Sequence, residues 1–366
     1  MDPAVGLLFA IACLHVVEGV FWVRRGALGF RKNRLVRQTE WLGNHKGNFM
    51  LLSPVPGLDN IHVVEPWPIF VSADGVVLTR VENFSTLADP GTGKLIPFSE
   101  LERARADGKK LILGAHECRT SSPMLSWTLS RRLRRLAKLS SAERPAELAK
   151  WLAEGHDLDG ARSRLLALAS ATRSLAVLGP ATFAILLGGA YAVFFVPVAA
   201  TQWPWVLGAL VTTATITGIE AYRAHRKLYP ELSDDRFVKT ALIFLSPVSA
   251  ARARAFLSRD ALATFHPLTA AAALLGKDKL QAFAAEVWRD VEFPVSSEIS
   301  GVQEARAELR ARHRSLLEAL GLDSATLTRA PERESDRAVA YCPRCLGQYH
   351  APGECGECPG VRLVSF

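Results

Sequence analysis

The chain has 366 residues, of which 49% are hydrophobic, and it carries a formal net charge of +8. Four of its six cysteines fall within the last 25 residues, which excludes a small secreted domain held together by disulfides across its length. A basic chain with long apolar runs is typical of a membrane protein with Lys and Arg in its cytoplasmic loops. A nucleic-acid-binding protein would not need those runs.

The first apolar run covers residues 4–23, which is the ~20 residues that a transmembrane helix needs. No Lys or Arg precedes it, so it lacks the basic start of a signal peptide. Six basic residues follow it before the first acid, Glu40. We therefore predict a transmembrane helix over 1–23 with the N-terminus outside. His15 and Glu18 share one face of this helix, and we favour structural packing for them over an ion path.

Residues 24–120 are predicted to form a small cytoplasmic α+β domain. Two apolar runs flank Asp74-Gly75, which indicates a hairpin, and a helix starting at Ser99 is predicted to stop at Gly108 before a buried strand. His116 and Cys118 would share one face of the strand that follows. A nucleophile with its base is one hypothesis for this pair, and a packed strand end is the interpretation we favour.

Residues 121–174 are predicted to be cytoplasmic helices, beginning with a basic amphipathic helix over 121–139. Four leucines fall on one face of that helix, and five basic residues without an acid lie elsewhere on it. The helix could contact anionic lipid or be an ordinary solvated helix, and nucleic-acid binding is a less favoured third alternative.

Residues 175–219 contain no Asp, Glu, Lys, Arg or His. The run is long enough to cross a bilayer twice, and Pro197 and Pro204 near its middle favour a break between two helices. Basic residues flank the run on both sides, so we predict a transmembrane helical hairpin over 175–220. The alternative is a hairpin buried inside a large soluble protein. Residues 221–322 follow as a cytoplasmic helical region, and 323–340 as a linker.

The C-terminal cysteines are spaced Cys-x2-Cys-x9-Cys-x2-Cys, at Cys342, Cys345, Cys355 and Cys358. Two tight turns of this kind can aim four thiolates at one metal, which predicts a structural Zn²⁺ site rather than a catalytic one. Iron in a rubredoxin-like cage is the minor alternative. Disulfides are disfavoured by the predicted cytoplasmic placement.

The tail over residues 341–366 resembles the small bacterial zinc ribbons with two Cys-x-x-Cys pairs. The resemblance rests on the four cysteines with Pro343, Tyr349, Gly353, Leu363 and Val364, and it departs at Leu346 and Pro359, where glycine is common. It implies a zinc-stabilised attachment module and assigns no reaction. The remainder of the chain resembles no family that we recognise.

The sequence as a whole predicts an α-helical membrane protein with three transmembrane helices, N-terminus out and C-terminus in. It would lie in the inner membrane of a bacterial cell, with its soluble parts cytoplasmic. We expect a non-enzymatic anchor, scaffold or accessory subunit whose zinc ribbon docks a protein partner; nucleic acid is a disfavoured partner. The alternatives are a membrane-embedded enzyme using residues 41–118 and a transporter or channel component using His15 and Glu18.

Overall fold

The protein is described from a computed structural model. The structure describes residues 13, 50–55, 58–64, 67–71, 75–78, 94–119, 123–195, 203–245, 249–250, 253–293 and 302–366. The predicted first transmembrane helix, with His15 and Glu18, lies outside these residues except for Cys13. The chain divides into two compact units, and each is described by itself. Unit 1 is built mainly from residues 162–263, and unit 2 from residues 39–121, 125–161 and 264–366.

Unit 2 contains a five-stranded antiparallel sheet whose strands pair in chain order. They are β1 (Met50–Val55), β2 (Leu58–Val64), β3 (Trp67–Val71), β4 (Gly75–Leu78) and β5 (Lys94–Pro97). Strands β3 and β4 form the predicted hairpin, which is therefore confirmed. Gly75 lets β5 approach closely, because a Cβ atom at this position would collide with the carbonyl oxygen of Ile96.

A second, three-stranded antiparallel sheet follows a single helical turn, α1 (Phe98–Leu101). Its strands are β6 (Arg105–Asp107), β7 (Lys110–Leu113) and β8 (His116–Arg119). The predicted helix from Ser99 to Gly108 is wrong beyond its first turn. Gly108, with φ of 54°, instead lies in the two-residue turn between Asp107 and Lys110. Glycine favours such a turn because the hairpin geometry requires positive φ.

The remaining helices follow in chain order: α2 (Pro123–Lys138), α3 (Arg144–His156), α4 (Leu158–Ala171), α5 (Leu175–Phe195), α6 (Trp203–Leu228), α7 (Ser233–Leu245), α8 (Ala253–Ala261), α9 (Pro267–Leu274), α10 (Lys277–Glu292), α11 (Val302–Ala319) and α12 (Ser324–Leu327). Helix α2 confirms the amphipathic helix predicted over 121–139. Its leucine face is buried, with Leu129, Leu133 and Leu136 at most 1% exposed.

The described part of unit 1 is helical, and it contains the hairpin of α5 and α6. The hydroxyl groups of Thr182 and Thr217 lie 3.5 Å apart across this hairpin. Gly189 allows the two helices to approach, because a Cβ atom there would collide with the side chain of Val206. Helix α7 packs on α6, and α8 contacts both helices of the hairpin.

The prediction of an α-helical membrane protein with three transmembrane helices is wrong. Among the described residues, no single helix is both long and apolar enough to cross a bilayer. Helix α6 has 26 residues, but Glu220 and a basic last turn end its apolar part. The consecutive segments Leu158–Ala171 and Leu175–Gly189 reach the length and apolar composition of a membrane span only when they are taken together, and the chain bends by 49° at the break between them. The charge-free run misled the prediction because the absence of charge over 175–219 does not by itself distinguish a membrane-spanning helix from another apolar helix.

Candidate metal centre

The C-terminal module of unit 2 is a three-stranded antiparallel sheet in the order β10-β9-β11. Its strands are two residues each: β9 (Ala340–Tyr341), β10 (Gln348–Tyr349) and β11 (Val364–Ser365). Strands this short cannot bury a core of their own, so the cysteine turns must hold the module together. The residues from Ala340 onward are called the ribbon below.

Each Cys-x-x-Cys pair lies in a turn closed by backbone hydrogen bonds. In the first turn, the amide of Cys342 donates to the Gly347 carbonyl at 2.8 Å, and the amide of Leu346 donates to the Cys342 carbonyl at 2.9 Å. In the second, the amide of Cys355 donates to the Val361 carbonyl, also at 2.9 Å. In both turns the amide of the first cysteine donates to a later carbonyl, five residues on in the first turn and six residues on in the second.

The four sulfur atoms of Cys342, Cys345, Cys355 and Cys358 all lie within 4.8 Å of one another. The Sγ atoms of Cys345 and Cys355, from different turns, are 3.6 Å apart. Thiolates bound ~2.3 Å from a tetrahedral Zn²⁺ are about 3.8 Å apart. The four cysteines can therefore hold one metal ion, and the arrangement is consistent with a zinc-binding module.

The sulfur cluster lies mostly inside the protein. Cys342, Cys355 and Cys358 are at most 7% exposed, whereas Cys345 is exposed. Phe293, which follows α10, packs against this cluster together with Tyr349 and Leu363. The guanidinium of Arg344 also donates to the Phe293 carbonyl at 3.5 Å. The first cysteine turn is thus attached to the end of a helix about 50 residues earlier in the chain.

The two departures from the zinc-ribbon pattern affect which residue of each turn has positive φ. Leu346 follows the second cysteine of its pair and has φ of 63°, the left-handed region that favours glycine. In the other turn Pro359 cannot adopt positive φ, and Gly360, one residue later, has φ of 78°. Both turns therefore contain one residue in the left-handed conformation. In the first turn that residue is Leu346, whose side chain disfavours this conformation.

Tyr349 is a neighbour of the thiols that the cysteine spacing alone does not identify. Its hydroxyl oxygen lies 3.1 Å from the Sγ of Cys355. Burial raises the pKa of Cys355, but hydrogen bonds from the Tyr349 hydroxyl and the neighbouring thiols outweigh it and lower that pKa to about 7. The same contact raises the pKa of Tyr349 to about 12, so the phenol stays protonated and can donate to a thiolate.

Two other thiols resist ionisation when no cation is bound. Burial raises the pKa of Cys342 to about 11, and burial followed by the charges of Cys342 and Cys345 raises the pKa of Cys358. Four thiolates this close repel one another. The positive charge of a bound cation compensates that repulsion, so the thiols that ligate it lose their protons. The chemistry of the cluster therefore suits a metal ion.

The segment before the ribbon, which the sequence predicts to be a linker, makes several contacts with it. The amide of Glu334 donates to the side-chain oxygen of Gln348 at 3.0 Å, and the Gln348 amide nitrogen donates to the Glu332 carbonyl at 2.7 Å. Arg333 stacks over the ring of Phe366 at 4.9 Å. These contacts give the ribbon a second set of attachments within unit 2.

The other sequence candidates lie elsewhere. His116 is half-buried on β8 and pairs with Leu113, while Cys118 pairs with Leu111. An enzyme site at this strand stays a prediction. On α2, Arg132 and Arg135 form ion pairs with Glu154 and Glu147 of α3 at 2.7 and 2.9 Å. Contact of this helix with anionic lipid also stays a prediction.

One side-chain cluster had no signal in the sequence. Three histidines from α3, the start of α9 and α11 meet inside unit 2. The ring of His266 lies 5.1 Å from that of His156 and 5.0 Å from that of His313. They are separated by more than forty residues along the chain, so no spacing rule could bring them together.

No protein family, curated protein or solved structure was found to match this chain. Its function therefore has to be inferred from the chemistry of the site itself.

Proposed function

We propose that the ribbon binds one structural Zn²⁺ and that the chain is a non-enzymatic scaffold or accessory subunit whose ribbon docks a protein partner. The observation that supports this most directly is the closed set of four sulfur atoms within 4.8 Å of one another. Four protein ligands complete a tetrahedral zinc site and leave no position for a substrate or a reactive water. The metal's role is then to stabilise the module rather than to catalyse a reaction.

The charge of the ribbon favours a protein partner over nucleic acid. Residues 341–366 contain two arginines and two glutamates, so their formal net charge is zero with histidine neutral. Nucleic-acid binding draws its affinity from Lys and Arg that neutralise phosphates, and such a module would be strongly basic. The ribbon also presents apolar side chains to solvent, with Val364 42% exposed and Val339 beside it 45% exposed. These two valines are the contact surface that we assign to the partner.

The metal part of the proposal is tested by elemental analysis of the purified full-length chain for zinc and iron. We expect about one zinc per chain and no stoichiometric iron. The double variant Cys342→Ser/Cys345→Ser should lose the zinc. The matched control, Cys13→Ser/Cys118→Ser, should retain it. Stoichiometric iron, or zinc retained in the ribbon variant, would refute the assignment.

The docking part needs a variant that keeps the metal. The changes Val339→Glu/Val364→Glu place charges on the exposed apolar surface without touching a cysteine. We expect this variant to retain zinc and to lose the proteins that co-purify with the wild type, as the cysteine variant also should. Unchanged co-purification with both variants would show that the ribbon is not the docking element, whatever its metal content.

A further inference from the structure

Unit 1 contains a cleft with a cationic lining at the junction of α4 and α5. The cleft has a volume of about 640 Å³ and is closed on one side by α6. Three basic residues and one acid line it: Arg173, Arg223, Lys227 and Glu220. Glu220 accepts hydrogen bonds from Ser174 at 3.0 Å and from Arg223 at 2.9 Å. The single carboxylate is therefore neutralised within the cleft, and an excess of two positive charges remains for a ligand.

A second, apolar groove runs between α6 and α7 and has a volume of about 580 Å³. Its apolar lining includes Ile219, Phe237 and Phe244, whose exposed fractions are 48%, 73% and 51%. These apolar side chains are exposed on one side of a helix pair. An exposed apolar patch of this kind is typical of a ligand-binding groove or an interaction surface. From Phe237 to Phe244 the groove follows α7 for about 10 Å, because an α-helix rises ~1.5 Å per residue.

The cleft and the groove meet at Arg223, which lines both. The spacing along α6 explains this. Ile219, Arg223 and Lys227 follow one another at four-residue intervals along one side of α6, so Arg223 lies between Ile219 of the groove and Lys227 of the cleft. The basic end of α6 thus joins the cationic cleft to the apolar groove.

We propose that unit 1 binds one anionic amphiphile, with its phosphate group in the cleft and its acyl chain in the groove. A free phosphate would leave the exposed aromatic side chains uncovered, and a neutral lipid would leave the basic residues of the cleft without a counter-charge. Only a ligand with both parts matches both surfaces. The headgroup would bond to Arg173 and Lys227 and compete with Glu220 for Arg223. Binding of this ligand is independent of the zinc ribbon.

The test uses the full-length chain and dioctanoyl phosphatidylglycerol below its critical micelle concentration. Native mass spectrometry gives the stoichiometry, and isothermal titration gives the affinity. We expect one lipid per chain. Inorganic phosphate, and dioctanoyl phosphatidylcholine of the same chain length, should each bind at least about tenfold more weakly. Inorganic phosphate has no acyl chain for the groove, and the choline cation of phosphatidylcholine cancels the headgroup charge that the cleft attracts.

Two variants separate the contributions of the two surfaces. Arg173→Gln/Lys227→Gln should weaken phosphatidylglycerol binding about 30-fold, from the usual contribution of a basic residue near an anionic headgroup. The matched control Lys277→Gln/Lys279→Gln removes the same charge from exposed positions of unit 2 and should leave affinity unchanged. Phe237→Ser/Phe244→Ser should lower the affinity for phosphatidylglycerol without changing that for inorganic phosphate. Both phenylalanines are exposed, so folding should be retained.

Several outcomes would overturn the inference. Equal affinities for phosphatidylglycerol and phosphatidylcholine would show that the positive charge of the cleft does not select an anionic headgroup. Equal affinities for phosphatidylglycerol and inorganic phosphate would show that the groove contributes nothing to binding. Absence of binding to the dispersed lipid, even with binding to phosphatidylglycerol vesicles, would show a surface effect rather than a site for one molecule.

Discussion

A buried ion pair fixes the position of α7 against α8. The ammonium of Lys239 lies 2.6 Å from a carboxylate oxygen of Asp260, and the exposed fractions of the two side chains are 16% and 0%. The carboxylate is therefore cut off from water and depends on the lysine for its charge compensation. The lysine still reaches solvent, so the two residues are not equivalent.

This asymmetry predicts unequal costs for the two single substitutions. Lys239→Met leaves a buried carboxylate without its partner and should lower the free energy of unfolding by about 3–5 kcal/mol. Asp260→Asn leaves a lysine that can be hydrated and an amide oxygen that can still accept, so its cost should be about 1–2 kcal/mol. The double change Lys239→Met/Asp260→Leu replaces both charges by apolar groups and should cost less than Lys239→Met alone.

Urea unfolding of the full-length variants, followed by far-ultraviolet circular dichroism, measures these differences. If Lys239→Met proves no more destabilising than Asp260→Asn at pH 7, the reasoning about burial is wrong.

Three further predictions concern unit 2. Tyr349→Phe removes the hydroxyl beside Cys355 and should weaken zinc binding about 10-fold or more in chelator competition, most strongly at low pH. Gly360→Ala should destabilise the zinc-loaded ribbon by about 1–2 kcal/mol, whereas Leu346→Gly relieves the same left-handed strain and should cost less in thermal unfolding. Burial, with repulsion from two neighbouring histidines, holds the pKa of His266 well below its ordinary value. The unfolded chain therefore binds a proton that the folded chain does not, and stability should fall as the pH drops below about 6.5, with a smaller slope in His266→Asn.

Each of these has a result that would contradict it. An unchanged zinc affinity in Tyr349→Phe would mean that the phenol does not act on the thiolate. If Gly360→Ala and Leu346→Gly destabilise the ribbon equally, positive φ is not the controlling factor. An unaltered pH slope in His266→Asn, which keeps an acceptor at the start of α9, would assign the acid sensitivity to other groups.

The parts of the site that follow from local rules could be predicted from the sequence. The spacing of the four cysteines predicts two turns, because each turn involves residues only a few positions apart. Two such turns so close in the chain also predict one cluster of thiols. Helix α2 and the hairpin at Gly75 follow from periodicity and turn chemistry in the same way. The positive φ of Leu346 could be anticipated from the glycine that commonly stands there.

The parts that depend on distant contacts could not be predicted. The packing of Phe293 on the sulfur cluster joins residues about fifty positions apart, and no pattern connects them. The charge-free run 175–219 predicted membrane spans because composition does not reveal what a helix packs against. The run from Ser99 to Gly108 has helical propensity, but the pairing of β6 with β7 overrides it.

The attachment of the ribbon to Phe293 links two equilibria. Since Arg344 and the sulfur cluster both contact this residue, the free energy of metal binding includes whatever order the end of α10 gains. By reciprocity, if the packed position of α10 raises the affinity for a metal by some factor, a bound metal favours that packed position by the same factor. Trp288 is buried on that helix, so its fluorescence is suited to report whether a metal is bound.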